Sequence, residues 1–447
     1  MALISGKRRL TLPKRTETGF PGKQGEFIDL AESEPEVLVI GGGVIGVCAA
    51  YYAAAAGSRV MLLDRATICS GCSRGNAGWL VPSHCIPLAS PGALIKGLKW
   101  MWSGTSPFAI KPRMNWALLK WLIAFAGACK EEKVRQSIPV LRDLTFQSLA
   151  LYGGLCSLNG VRCDLRNNGS LMIFATPEGF EEGRREAEML GENGIRSETW
   201  SAEQVVQREP QIHPGIDGGI LYPEDAQIFP SDFVESLSGE AQRLGATMLT
   251  ATKVTGFRLE GKTISTVQTT GGVFRPRIVI LAAGADSARL ARTMGVQLPI
   301  EAGKGYSFSV PSSYFSPSRA LLLSEAKVAV SPFGSRTRFG GTLELSGLDS
   351  TIDVARLIAI RRSADRYLSA SLPPTIEEEW TGLRPCTPDG LPIISRVPAV
   401  RNLIVAGGHA MLGVSLGPVS GKLAAQLALD QEPEFDVAPL SIERFHW

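Results

Sequence analysis

Residues 36–65 read EVLVIGGGVIGVCAAYYAAAAGSRVMLLDR, and this stretch decides the fold. Val37 to Ile40 is an apolar run of strand length, three glycines break it, Val44 to Ala56 is an alanine-rich helical run, and Arg59 to Asp64 returns to strand character. Gly41-x-Gly43-x-x-Gly46 thus lies between a strand and a helix, the setting in which a weak glycine pattern becomes a dinucleotide-binding one. The first glycine allows the tight turn, the second lets backbone approach a pyrophosphate, and the third lets helix pack on strand. Val44 and Ile45 open the helix at its positive end, which a diphosphate would face. Asp64 ends the next strand near the spacing expected of the acid that binds ribose hydroxyls, with Arg65 beside it. An acid there disfavours a 2′-phosphate. These residues fit the ADP half of a dinucleotide and do not separate FAD from NAD.

Two further pieces carry the same strand and helix signals. Asp232 to Leu244 is helical in pattern, Thr247 to Leu249 and Ile278 to Ala282 are short strand candidates, and the second runs into Ala283-Gly284. Leu403 to Ala406 and Gly407-Gly408 lead into a helix from about Gly417 to Leu429. One α/β domain is therefore expected from residues 36–80, 223–298 and 381–447. Residues 81–222 and 299–380 lack a phosphate loop, and their strand-like runs (Tyr306 to Val310, Val328 to Ser331, Arg338 to Leu345) suggest a mixed or antiparallel sheet. The expected class is α/β, or α+β overall: a Rossmann-like domain interleaved with a second, substrate-binding domain.

The 447 residues are 44% hydrophobic and 20% charged, ordinary globular usage, and the net charge of +3 is spread without the basic stripe of a nucleic-acid surface. Residues 1–35 carry Lys7, Arg8, Arg9, Lys14 and Arg15 before any acid but no apolar run of a secretory signal, so they are expected to be a tail. Eight scattered cysteines do not form a secreted disulfide framework, which fits a reducing cytoplasmic compartment. Cys69-Ser70-Gly71-Cys72 has CxxC spacing but no second pair or paired histidines, so no metal site is expected. Trp116 to Cys129 (WALLKWLIAFAGAC) is shorter than the roughly 18 apolar residues that cross a bilayer. It reads either as a helix packed on the domain or, with Lys99, Trp100, Trp102, Lys111 and Arg113, as a peripheral contact of the Trp100–Trp121 region with the inner membrane face.

After the nucleotide unit comes Cys72-Ser73-Arg74-Gly75-Asn76-Ala77-Gly78-Trp79, small and polar enough to lie against a flavin or phosphate. Further along are Ala89-Ser90-Pro91-Gly92, Lys304-Gly305-Tyr306-Ser307, Gly340-Gly341-Thr342-Leu343-Glu344, the run from Trp380 to Ile394 (WTGLRPCTPDGLPII) and the run from Gly408 to Pro418 (GHAMLGVSLGP). With these the chain resembles the D-amino-acid oxidase-like superfamily of FAD-dependent amine and amino-acid oxidoreductases, especially bacterial D-amino-acid and D-hydroxyproline dehydrogenases. The resemblance spans almost everything after residue 36. It implies a non-covalent FAD at the junction of the two domains. By the match, Gly41, Gly43, Gly46, Asp64, Cys72, Ser73, Asn76, Ala77 and Gly78 contact the cofactor, with the Val254 backbone at the adenine. Ala283 and Gly284, Arg384, His409, and Gly413, Val414, Ser415, Leu416 and Gly417 complete the expected set, the last stretch covering the flavin's pyrimidine end.

The resemblance also implies the chemistry: hydride passes from a substrate α-carbon to flavin N5, giving an imine and then a keto acid. Negative charge then collects near N1, where a helix beginning near Ser415 to Gly417 would direct its positive end. A substrate carboxylate calls for a planar guanidinium. Arg384, in Gly-Leu-Arg-Pro, matches the carboxylate-binding arginine of the glycine-oxidase branch. Tyr306, His84 and Arg338, with Arg336 on the same strand, are further substrate-side candidates. His409 reads as a backbone position with a structural side chain; His213 and His446 look incidental. Lys304 invites an oxygen-activating reading, yet its string suits the dehydrogenase branch, which favours a quinone-type acceptor. The expected activity is oxidation of a D-amino acid or a cyclic imino acid such as D-proline or D-hydroxyproline. A glycine or sarcosine oxidase using oxygen, and a flavin subunit that needs partner chains, remain the alternatives. Oligomeric state is not legible.

Overall fold

The computed structural model describes residues 32–90, 108–111, 115–373 and 376–445. Residues 1–31, Lys99, Trp100, Trp102, Pro91-Gly92, Arg113 and His446 lie outside the described residues.

The apolar runs in the opening stretch and its two companions form one six-stranded sheet. Its order is Thr247–Leu249, Val60–Leu63, Val37–Ile40, Ile278–Leu281, Val400–Gly407 and Ile393–Val397. The first five run parallel and the last is antiparallel. The three central strands, Val60–Leu63, Val37–Ile40 and Ile278–Leu281, read as unbroken hydrophobic runs because both faces are covered. Val37, Val39, Val60, Leu62, Ile278 and Ile280 pack in one core with the helices Val44–Ala55, Pro230–Arg243 and Gly417–Ala428. Their alternates Leu38, Ile40, Met61, Leu63, Val279 and Leu281 pack against Val254, Ile264, Val267 and Phe274. Those residues belong to a four-stranded sheet ordered Glu32–Ser33, Gly272–Phe274, Thr263–Thr269 and Val254–Glu260.

The helices Val44–Ala55 and Gly417–Ala428 meet closely because Gly421 has no side chain. A Cβ there would stand 2.4 Å from Cys48 Cβ and 2.6 Å from the Ala49 amide nitrogen. Overpacking of a close-packed core costs about 1–3 kcal/mol, more when backbone must move. Gly421→Leu should therefore lower the unfolding free energy by at least that much, seen as a lower urea midpoint with an unchanged denaturant slope.

The second sheet has nine strands. Eight follow in the order Glu377–Cys386, Glu301–Pro311, Arg336–Leu345, Val328–Phe333, Ala320–Leu323, Ser170–Phe174, Gly218–Tyr222 and Glu198–Ser201, and Phe108–Ile110 pairs alongside Arg336–Leu345. It is mixed: the pair Ala320–Leu323 and Ser170–Phe174 and the pair Arg336–Leu345 and Phe108–Ile110 are parallel.

One strand crosses a segment boundary expected from the sequence, and one helix within a substrate segment packs into a core shared with the parallel sheet. Glu377–Cys386 pairs with Glu301–Pro311 from Glu301↔Cys386 to Ser309↔Glu377, so a division at 380/381 would cut a hydrogen-bonded strand. The helix Glu131–Cys156, expected with the substrate segments, buries Val134, Ile138, Leu141, Tyr152 and Leu155 in the core that also holds Val44 and Leu416. Its Tyr152 hydroxyl donates to the Val414 carbonyl (2.6 Å).

Cys156 and Cys163 are joined as a disulfide across seven residues, a pairing that cysteine spacing did not suggest. Cys69 and Cys72 are both free, and no metal-holding group of His, Cys, Asp or Glu occurs among the described residues. The helix Trp116–Ala128 buries Leu118, Trp121, Phe125 and Ala128 while Trp116, Leu119 and Ile123 are exposed. No helix among the described residues is long and apolar enough to cross a membrane.

Candidate active site

A cavity of about 2010 Å³ runs from the glycine turn of the parallel sheet to the inner face of the mixed sheet. Small-ligand pockets span about 300–1,000 Å³. The space therefore suits a dinucleotide with a second, smaller ligand.

At the nucleotide end the local geometry follows from the glycines. Gly41 adopts φ +117°, and a Cβ on it would stand 2.4 Å from the Ala282 carbonyl oxygen. Gly43 meets nothing closer than Ser73 Oγ at 3.4 Å, which leaves its backbone open to the cavity. The Ser73 hydroxyl accepts from the Val44 amide (3.0 Å). The helix Val44–Ala55 has no side-chain cap on its N-cap residue and no acid in its first turn. No acid of the helix itself neutralises its positive end, which fits a diphosphate. Asp64 is fixed at the strand end by the amides of Gly42 (2.7 Å) and Ala66 (2.8 Å), leaving each oxygen a lone pair for a ribose hydroxyl. Arg65 pairs with Asp286 at the rim (2.5 Å). Gly41, Gly43, Val44, Ile45, Asp64, Arg65, Cys72, Ser73, Asn76, Ala77, Val254, Ala283, Gly284, His409, Gly413 and Val414 all line the cavity. These features fit the FAD that the sequence implied.

Five expected contacts lie behind that surface. A Cβ on Gly46 would stand 1.9 Å from the Gly41 carbonyl oxygen, so this glycine is a helix-to-strand contact. Gly78, at φ +73°, similarly abuts the Ile228 carbonyl oxygen. Ser415 accepts from the Val81 amide (2.9 Å) and donates to the Trp79 carbonyl (3.0 Å), while Leu416 and Gly417 are buried. The His409 ring reaches Ser420 (2.8 Å), and burial holds its pKa down to about 3, so it is neutral at physiological pH.

At the other end, Arg384 stands on the cavity wall. Its guanidinium lies over Gly305, where a Cβ would come within 2.4 Å of it, and Nη1 donates to the Thr342 carbonyl (2.6 Å). Among the described residues no carboxylate pairs with it, and desolvation pulls its pKa down from 12.5.

Tyr306 borders the cavity, but its ring is buried in the core with Phe308 and Phe339 and its hydroxyl donates to Glu344 (3.1 Å). Neighbouring residues on a strand face opposite ways. Lys304 and Tyr306 therefore point away from the face that Gly305 leaves to Arg384. Lys304 Nζ instead donates to Asp349 (3.1 Å), which removes the cation from the oxygen-activating role.

Arg338 corrects the sequence reading more sharply. It is buried, donates to the carbonyls of Arg74 and Asn76 (both 2.9 Å), and pairs with Glu378 (3.2 Å). It fastens the 72–78 loop and is not a substrate ligand. Arg336 also pairs with Glu378 (3.2 Å). Arg338→Met should leave those acceptors unpaired, at about 1–3 kcal/mol for each buried group. FAD dissociation, followed by fluorescence on dilution, should then accelerate tenfold or more.

His84 lines the cavity beside Trp79, with ring centroids 5.6 Å apart. Burial and the charge of Lys327 lower its pKa to about 4. Trp380 was not singled out from the sequence, yet it also lines the cavity. Its indole lies where Cβ atoms on Gly75 and Gly382 would fall, 2.1 and 1.9 Å away. Those two glycines were the available signal, but their common partner is evident only once loop and strand meet.

The family model for FAD dependent oxidoreductases, DAO, matches residues 36–427. A D-amino acid dehydrogenase of Cereibacter sphaeroides is 31% identical over 415 residues, 92% of this chain and 95% of that protein. One from Methylobacterium nodulans is 33% identical over 417 residues, 92% of this chain and 99% of its own length. Glycine oxidase from Geobacillus kaustophilus superposes with a TM-score of 0.74 at 23% identity, covering 93% of this chain and 100% of that one. L-proline dehydrogenase from P. horikoshii gives 0.70 at 20% identity, covering 93% and 98%. A glycine turn whose helix carries no acid in its first turn, a cavity sized for two ligands and a sequence match over nearly the whole chain lead to one conclusion: the chain belongs to the DAO family of FAD-dependent oxidoreductases.

Proposed function

We propose that the protein is an FAD-dependent dehydrogenase of D-amino acids, with cyclic D-imino acids such as D-proline and D-hydroxyproline in its substrate range. The observation that carries this reading is Arg384, a guanidinium on the cavity wall without a carboxylate partner among the described residues. A desolvated cation left unpaired is costly, so the site is arranged for an incoming anion. The D configuration and the dehydrogenase activity are supported by the relatives called D-amino acid dehydrogenases.

The carboxylate of the substrate pairs with Arg384, and the Thr342 carbonyl fixes the direction of the fork by holding one N–H. Gly305 leaves the space in which the guanidinium lies. Apolar wall residues, among them Met172, Leu322 and Leu412, exclude water and favour the neutral amine. FAD, once bound, supplies the two-electron acceptor for oxidation at the α-carbon. Lys304, held by Asp349 on the far side of its strand, offers no cation for oxygen chemistry, which favours a quinone-type acceptor.

The test is anaerobic mixing of the FAD-loaded protein with D-alanine, D-proline, cis-4-hydroxy-D-proline, glycine, sarcosine and L-amino acids. Loss of flavin absorbance with the D-compounds is expected; bleaching by none of them, or only by glycine or sarcosine, sinks the reading. A quinone analogue should then reoxidise the flavin faster than dissolved oxygen. The exposed Trp116, Leu119 and Ile123 support peripheral attachment to a membrane surface. Cosedimentation with anionic vesicles should fall when Trp116 and Ile123 are changed to serine; unchanged binding would remove that assignment.

A further inference from the structure

His84 stands at the end of a buried polar line that the carboxylate site does not use. Its Nδ1 lies 3.0 Å from Ser83 Oγ, and that hydroxyl donates to Asp225 Oδ2 (2.6 Å). Asp225 is 1% exposed. It also accepts from the Ser83 amide (3.2 Å) and from the Ser170 hydroxyl (2.6 Å). No arginine, lysine or histidine among the described residues forms an ion pair with it. Three donors and a buried carboxylate behind a histidine on a cavity wall exceed what packing a turn requires.

We infer that His84, Ser83 and Asp225 form a proton wire that takes up the proton a substrate ammonium must lose inside the cavity. This inference rests on the amino-acid reading above.

The direction follows from counting hydrogens. A serine hydroxyl has one hydrogen, and while Asp225 is ionised that hydrogen goes to the carboxylate. Ser83 Oγ then accepts from His84 Nδ1–H, which fixes the neutral tautomer whose Nε2 is the basic nitrogen. In the transfer the N–H bond of the ammonium breaks, its electron pair stays on the amine nitrogen, and the proton bonds to His84 Nε2. His84 passes its Nδ1 proton to Ser83 Oγ, and Ser83 passes its own to Asp225. The line ends as a neutral imidazole and a neutral carboxylic acid.

That end state answers a difficulty at His84. Burial beside Lys327 disfavours imidazolium, with a pKa of about 4, so His84 cannot store the proton. Asp225, raised by desolvation to about 7, can. Glu224 pushes in the same direction. Cys85 and Tyr222, which sense the charge of Asp225, are both raised by burial and stay protonated throughout. The sign is fixed: below pH 7 Asp225 is protonated and the wire is full, whereas above it the wire accepts.

The experiment uses FAD-loaded full-length protein with His84→Gln, Ser83→Ala and Asp225→Asn. Anaerobic stopped-flow with D-proline or D-alanine should show the wild-type limiting rate of flavin reduction rising through a midpoint near pH 7. Each variant should lose that midpoint and fall about 100-fold or more, the range of a general base. Ser83→Ala keeps both titrating groups and decides the matter if Asp225→Asn misfolds. In substrate-free protein labelled with ¹⁵N at histidine, the signal absent from His84→Gln should move from the Nδ1–H to the Nε2–H tautomer as pH falls through 7. In Ser83→Ala it should not move. A His84 tautomer indifferent to pH, or a Ser83→Ala variant with wild-type rate and pH profile, overturns the wire. If no amino acid bleaches the wild-type flavin, the functional reading fails while the nitrogen spectra still decide the wire.

Discussion

Arg384→Ala should bind FAD with an unchanged visible spectrum and lose most of its affinity for amino acids. Truncating one partner of a buried, hydrogen-bonded charge pair costs about 2–5 kcal/mol. At about 1.4 kcal/mol per tenfold, that is a rise of roughly 30-fold or more in the dissociation constant. Arg384→Lys should recover only part of it, because an ammonium cannot form the parallel pair that a carboxylate accepts from a guanidinium. A readout without turnover is available. A simple carboxylate such as benzoate at about 100 times its dissociation constant stabilises the folded state by about 2.7 kcal/mol. The resulting rise in melting temperature should be present in wild type and absent in Arg384→Ala. Loss of the flavin spectrum instead would mean that Arg384 holds the cofactor.

The second large effect is expected at a glycine that never touches the ligand. Gly46→Val should remove FAD binding and lower the melting temperature of the apoprotein. A Cβ at this position falls 1.9 Å from the Gly41 carbonyl oxygen, and a third contact with Val39 lies at 3.3 Å. Backbone meets backbone there, so no flexible side chain can yield. Either the helix Val44–Ala55 lifts from the sheet or the Gly41 turn opens, and each displaces the amides that would face the diphosphate. Overpacking alone costs about 1–3 kcal/mol. By contrast, Gly57→Ala, where a Cβ meets nothing within 4 Å, should keep the cofactor and lose only what a positive φ of +85° costs a residue with a side chain. Equal FAD affinity in Gly46→Val and wild type would refute the packing role of this glycine.

The parts of the molecule that were legible are those in which local chemistry and fold agree. Val37 to Ile40, the glycines and Asp64 announce their arrangement because strand, turn and helix are contiguous. The two companion strands were readable from Ile278 to Ala282 and from Leu403 to Ala406, apolar runs that mark burial on both faces, whereas the start of Val400–Gly407, with Arg401 and Asn402, was not. Side-chain direction was less legible. Tyr306 and Arg338 stand in motif-bearing strands, but which face each meets depends on register with Glu301–Pro311 and Arg336–Leu345, including a bulge between Lys304 and Tyr306. One residue of slip exchanges the two faces. Arg338 therefore looked like a substrate ligand and is a clamp on the 72–78 loop. Asp225 was invisible for a related reason. Its partners Ser83 and Ser170 lie 142 and 55 residues away, and an acid between Tyr222 and Ala226 reads as an ordinary turn.

The most direct test of an amino-acid site built on Arg384 compares substrates that differ only in their carboxylate. FAD-loaded protein is mixed anaerobically with D-proline and, separately, with pyrrolidine, and the flavin absorbance is followed. Full bleaching by D-proline with none by pyrrolidine over the same time is the expected result, and Arg384→Ala should abolish the difference. Bleaching of wild type by both at equal rates, or by neither, contradicts the account.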